Sequence, residues 1–301
     1  MKNTLIYPLM VIIASSCYGV LSTIIKVAMN HGFTSEEAVT SQYMVGFGLA
    51  FLLFILTQRQ LPRLNKAGWI TVIGAGLFTG TTGIVYGQSL NYLPASLAVV
   101  MLFQFTWIGL FLDCALKRRM PTRTELVSLL FLFTGTILAA GVLDVDLSGI
   151  AWQGWAFGLA AACSFACFVQ FNSRPAEGIT TTARVTIMSL VALTLISIFL
   201  TPEIAWNGRL FNDGLWLYGL VLGVLGILLP IYLFSIAVPK VGGALASILS
   251  AMELPVAITV SVIVLHEIIT PIQVFGILIV LIGMMLPTLL SLRKQKRSQL
   301  H

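Results

Sequence analysis

Charge is what this sequence lacks. Of its 301 residues only 9% are Asp, Glu, Lys or Arg, against about 25% in a soluble domain. It cannot clothe a folded chain of this length in water. Histidine is just as scarce: His31, His266 and His301 are the whole set, and no metal-ligand spacing connects them. No His-Glu-x-x-His pair of the helical zinc-protease kind exists. The four cysteines (Cys17, Cys114, Cys163, Cys167) lie in or at apolar runs, which argues against a secreted disulfide framework or a zinc site. Soluble extensions are missing too, and with them the usual marks of a receptor or scaffold. Gly87-Gln88-Ser89 lacks the following glycine of an intramembrane serine site, and Asp113 and Glu253 fall at different depths, which disfavours an aspartyl dyad. No run carries the continuous polar stripe of a channel. Nothing calls for a cofactor or a metal.

What is present is hydrocarbon. Apolar residues make up 58% of the chain, and the mean hydropathy is +0.98. Runs of about 20 such residues, each enough to cross ~30 Å of bilayer, recur along the whole length. Lys2, the run 5–14 and Ala14-Ser15-Ser16-Cys17 faintly resemble a leader with a lipoprotein box. The run continues to Ala28, however, which is too long for a leader and reads as a first span. Further spans are expected at 37–57, 67–92, 95–116, 122–142, 151–172, 180–200, 214–238, 242–265 and 272–291. The expected fold is an all-α membrane protein with ten transmembrane helices.

Orientation follows from the basic residues. With a cytoplasmic N-terminus, 15 of the 17 Lys and Arg fall inside: Lys2, Arg59, Arg63, Lys66, Lys117, Arg118, Arg119, Arg123, Arg174, Arg184, Lys240, Arg293, Lys294, Lys296 and Arg297. Only Lys26 and Arg209 remain outside, together with Glu36, Glu37, Asp144, Asp146, Glu203, Asp213 and Glu267. Both termini are expected in the cytoplasm of a plasma or inner membrane. The net charge of +6 is then a topology signal, and no nucleic-acid partner is implied.

The chain also repeats. Shifted by 146, Gly80, Tyr86 and Ser89 fall on Gly226, Tyr232 and Ser235. Shifted by 148, Leu97-Ala98 falls on Leu245-Ala246, Thr122 on Thr270, Gly135 on Gly283 and Lys26 on Arg174. Two units are expected, 1–146 and 147–301. Five spans per unit is an odd number, so the second unit enters from the opposite face, as in the inverted repeats of secondary transporters.

The stretch from Gly242 to Leu286 carries the most chemistry. Glu253 sits in the middle of its first apolar run, where an ionisable group costs roughly 2.5–3.5 kcal/mol on insertion scales. Pro255 cannot bond the Ala251 carbonyl, so backbone acceptors open beside that carboxyl group. Three roles are open to Glu253: a proton site protonated in one facing state and ionised in the other, a partner for a substrate ammonium, or a structural acid hydrogen-bonded to Ser247 or Ser250. Lys26 is the nearest candidate counter-ion by type, but its position near a membrane face keeps it from midplane.

Two five-span units, Pro255 in the ninth span, and the ending Leu265-His266-Glu267 … Thr270 … Gly276 … Gly283 resemble the drug/metabolite transporter superfamily, in its ten-helix EamA-like branch. The resemblance covers nearly the whole chain. It implies transport of amino acids, metabolites or drugs, often outward, through a central cavity lined by both units. Each unit in that family commonly ends with a Gly-Glu-like turn; here Glu267 keeps the acid and Arg119 stands at the matching place in the first unit.

Mid-depth polar and aromatic residues complete the expected site. Tyr86, Gln104, Trp107, Tyr232 and Glu253 are expected to line the cavity, with Tyr18 and Gln42 at its margin. Gln104 and Trp107 share a helix face, and Tyr86 and Tyr232 occupy matching positions. Each residue also fits interhelical hydrogen bonding. The glycines of the third and eighth spans read as packing surfaces, and Asp113 as half of an ion pair with Lys117 at the membrane interface. The expected partners are a small-molecule substrate, the lipid bilayer and, as a coupling ion, protons.

Overall fold

Every long apolar run becomes a helix. The computed structural model describes residues 2–57, 63–141, 150–200, 202–266 and 268–298. The helices are α1 (Lys2–Asn30), α2 (Ser35–Thr57), α3 (Lys66–Tyr92), α4 (Ala95–Phe103), α5 (Phe105–Leu116), α6 (Arg123–Ala139), α7 (Trp152–Asn172), α8 (Thr181–Phe199), α9 (Arg209–Asn212), α10 (Leu215–Gly223), α11 (Leu229–Val241), α12 (Gly243–Leu249), α13 (Glu253–Leu265) and α14 (Pro271–Ser298). Three spans are each made of two helices joined end to end. α4 meets α5 at Gln104, α10 meets α11 through a π turn at Val224–Leu228, and α12 meets α13 through a 3-10 turn at Ser250–Met252. Among the described residues, nine stretches are long and apolar enough to cross a bilayer. The tenth rod, α6, has 17 residues, or about 26 Å at 1.5 Å per residue. Arg59, Asp144, Asp146, Glu267 and the expected boundary between the units lie outside the described residues.

The surface shows what solvent the bundle expects. Leu56 is 74% exposed and Leu130 67%, whereas Ser15, Thr23, Ser89, Ser128 and Ser189 are buried. Hydrocarbon is no better a solvent for Leu than the protein interior, so small and polar residues collect between helices. Trp69, Trp152 and Trp216 project near the starts of α3, α7 and α10, as an aromatic belt at a membrane–water boundary would require.

The helices pair in a pattern that survives exchange of the two halves. α3 packs on α7 and α8, while α10 and α11 pack on α2 and α1. The contacts α2–α8 and α6–α14 each join corresponding members of the two units, and α5–α12 joins opposite halves of the corresponding fourth and ninth spans. Local structure repeats as closely. Thr122 caps α6 in a reciprocal box with Glu125. At the start of α14, 148 positions on, the Thr270 amide donates to Gln273 Oε1 and the Gln273 amide to the Thr270 hydroxyl. Arg118 (φ 51°) and His266 (φ 55°), also 148 apart, are the only left-handed non-glycine residues described. The glycines of α3 are packing sites, as expected: Gly76 and Gly80 face Met188 and Ala192 of α8.

The ends of the bundle are tied by ions. Asp113 is fully buried, and its carboxylate lies 2.7 Å from Lys117 Nζ and 3.1 Å from Arg119 Nη2. Arg119 also pairs with Glu125 at 2.8 Å. The expected Asp113–Lys117 pair is therefore part of a four-residue cluster. At the opposite end Arg209 donates to Glu37 and to the Gly32 carbonyl and reaches Asp213, fastening α9 to the α1–α2 junction.

Candidate functional site: a central cavity around Glu253

The break in each unit decides what faces the centre. Gln104 and Met252, 148 positions apart, mark the interruptions of the fourth and ninth spans, and one residue later the units diverge. The first unit has Phe105, fully buried, its ring 4.6 Å from that of Phe165. The second has Glu253. A helix interrupted at midplane is tolerated where it borders protein or a cavity, and here one half of the pair is filled with an aromatic ring and the other with a carboxyl group.

Glu253 is 4% exposed and borders a cavity with about 50 Å³ open to water centres, room for a few waters. Tyr18 and Leu21 reach it from α1, Gln42 and Tyr43 from α2, Thr79, Gly83 and Tyr86 from α3, Leu102 from α4, Phe165 from α7, and Gly226 from the π turn. Tyr43 donates to the Thr79 carbonyl at 2.7 Å, and Ser22 stands within hydrogen-bonding reach of the Tyr86 phenol. The Tyr18 ring meets Phe165 and Phe234 edge-on at 5.4 and 5.8 Å. Close approach of α1 to α13 depends on Gly19, where a Cβ would stand 2.5 Å from the Glu253 carbonyl oxygen.

Among the described residues no lysine, arginine or histidine lines this cavity. Lys26 is spoken for, its ammonium donating to the Leu90 carbonyl at 2.9 Å near the end of α3. Nor does the carboxyl group close on its own helix. Glu253 Oε2, Ser247 Oγ and Ser250 Oγ are all buried without a hydrogen-bond partner, so the bond to Ser247 or Ser250 that would make Glu253 purely structural is not formed. A buried carboxyl oxygen left unsatisfied is expensive and points to an occupant.

The residues expected at the site therefore divide. Tyr18, Gln42, Tyr86 and Glu253 come together. Tyr232 does not join them: it is half-buried against the main core and lies beyond the π turn and Pro230, a wide turn that re-aims the helix after it. Gln104 and Trp107 line a separate, wholly lateral groove with Leu126, Leu130 and Phe133 of α6. There Trp107 Nε1 donates to Gln104 Oε1 at 2.8 Å, and the indole is well exposed on the hydrocarbon side. Thr79 and Phe165 line the cavity without having been placed there by sequence. Among the described residues no cluster of three or more His, Cys, Asp and Glu could hold a metal ion.

Ten rods in two matching units around a cavity bordered by the Glu253 carboxyl group define a multi-pass membrane protein of two-repeat architecture. The model of the EamA-like transporter family matches residues 5–141 and again 152–289. The chain belongs to that family, and so to the small-molecule transporters of the drug/metabolite transporter superfamily. A solved structure described as "Crystal structure of protein" is similar in fold, with a TM-score of 0.73 and 16% identity over 93% of this chain and 98% of that one. No curated protein matches the sequence.

Proposed function

We propose that the protein is a secondary transporter that exports small metabolites (amino acids, related metabolites or drugs) by alternating access through the Glu253 cavity. The observation that carries the reading is the buried, unpartnered Glu253 Oε2 in a cavity with no Lys, Arg or His among its described lining residues. A carboxyl group so placed takes up either a proton, which would let a proton gradient drive transport, or the ammonium of a substrate. The phenols of Tyr18 and Tyr86 and the Gln42 amide supply hydrogen bonds beside it, and Phe165 an apolar wall. Five spans per unit support an inverted relation between residues 1–146 and 147–301, and the basic asymmetry supports cytoplasmic termini in a plasma or inner membrane. Purified protein in liposomes, loaded with a panel of labelled metabolites, tests the reading. Saturable flux of at least one amine-bearing solute is expected. A panel that moves no faster than through empty liposomes contradicts it.

A further inference from the structure

At the far end of the second unit lies a buried cation with no anion. We infer that Arg184 and Asn172 form a site for an oxyanion, a carboxylate or phosphate group, where α7 stops and α8 begins. Asn172 is the last residue of α7 and Arg184 lies in the first turn of α8. Arg184 is 4% exposed and Asn172 is fully buried. Arg184 Nη2 donates to Asn172 Oδ1 at 2.9 Å, which aligns the two side chains. Beyond that bond, Arg184 Nε and Asn172 Nδ2 are both buried without a partner.

Five other cations have partners. Lys117 and Arg119 hold Asp113, Arg209 holds Glu37 and Asp213, Lys26 holds a carbonyl, and Arg174 lies over the Phe171 ring. No described acid pairs with Arg184, and Glu177 on the same loop is exposed and pairs with nothing. A buried guanidinium is tolerated when a counter-charge fills its remaining donors. Here the two open N–H groups belong to side chains joined by the Arg184–Asn172 bond, and both are donors, which selects an acceptor-only ligand. A carboxylate or phosphate presents two or more oxygens to such a fork. The first turn of the 19-residue α8 adds the positive end of its dipole at the same place. Neither residue lines the Glu253 cavity, so the site stands apart from the transport reading.

The test uses the full chain in nanodiscs, with acetate and inorganic phosphate as probes. In neutral phosphatidylcholine discs, either anion replaces chloride at constant ionic strength; in a second arm, phosphatidylglycerol discs contain chloride alone. The wild-type unfolding temperature should rise saturably in at least one arm. A rise with free anions assigns the site to a solute, and a rise with phosphatidylglycerol alone assigns it to a lipid headgroup. Arg184→Gln should abolish the rise, while Arg174→Gln should keep it. Should Arg184→Gln fail to fold, Asn172→Asp decides: its own carboxylate occupies the fork, so the variant should be stable and no longer respond to added anion. No rise in either arm, or an equal rise in Asn172→Asp, overturns the assignment and leaves the donors to water.

Discussion

Replacing Gly19 with alanine separates the geometry of the cavity from its charge. A Cβ there would lie 2.5 Å from the Glu253 carbonyl oxygen, 2.9 Å from Val256 Cβ and 3.0 Å from the Ala257 amide nitrogen. Two of these three atoms belong to the backbone of α13, so no rotamer change relieves the clash and the helices must part. Alanine in a helix interior is favoured over glycine by about 1 kcal/mol. Overpacking a close contact costs about 1–3 kcal/mol. With backbone atoms in the way the clash should win, leaving Gly19→Ala about 1 kcal/mol less stable. Gly48 is the control, since nothing lies within 4 Å of its added Cβ, and Gly48→Ala should be neutral or stabilising. Thermal unfolding in detergent reads the stability. Flux in liposomes should fall in Gly19→Ala as well, because α1 carries Tyr18 and α13 carries Glu253. An unfolding temperature for Gly19→Ala equal to that of wild type would refute the described α1–α13 contact.

Asp113→Asn leaves Arg119 and Lys117 with less counter-charge. Because Lys117 is half exposed and Arg119 a third exposed, solvent screens the loss to about 1–2 kcal/mol, read as a lower unfolding temperature. Trp107→Ala should retain substrate affinity in transport assays, since the indole faces the lateral groove; Tyr86→Phe, inside the cavity, should weaken it. A cysteine at Asn212 should react with membrane-impermeant maleimide from outside intact cells, and reaction only after permeabilisation would break the alternation of spans.

The rods were legible because hydrocarbon demands some twenty apolar residues in a row, a signal that boundary noise does not erase. The repeat was legible because pairs such as Thr122 and Thr270 recur at a near-constant offset, and both threonines prove to cap a helix, with Glu125 and Gln273. The interruptions were not. A 3-10 or π turn has the composition of the helix around it, and only Pro230 and Pro255 hinted that Val224–Leu228 and Ser250–Met252 would depart from regular helix. That is why Tyr86 and Glu253 were placed together and Tyr232 was grouped with them as well. Matching positions share a depth, but a wide turn changes the face. Gln104 and Trp107 share a face, as their spacing requires, yet spacing alone says nothing of which neighbour that face meets. Arg184 was counted among the cytoplasmic charges, and burial alone distinguishes it from Arg174.

The central claim is that the Glu253 carboxyl group governs transport. Its direct test compares wild type with Glu253→Gln, which keeps the shape and removes the charge, in liposomes supplied with the same labelled solutes. Loss of gradient-driven accumulation with solute exchange retained identifies a proton site. Weakened affinity for cationic solutes, with or without a gradient, identifies an ammonium site. Either result is what the account predicts. Accumulation and affinity both equal to wild type in Glu253→Gln would contradict it and make the residue a structural one.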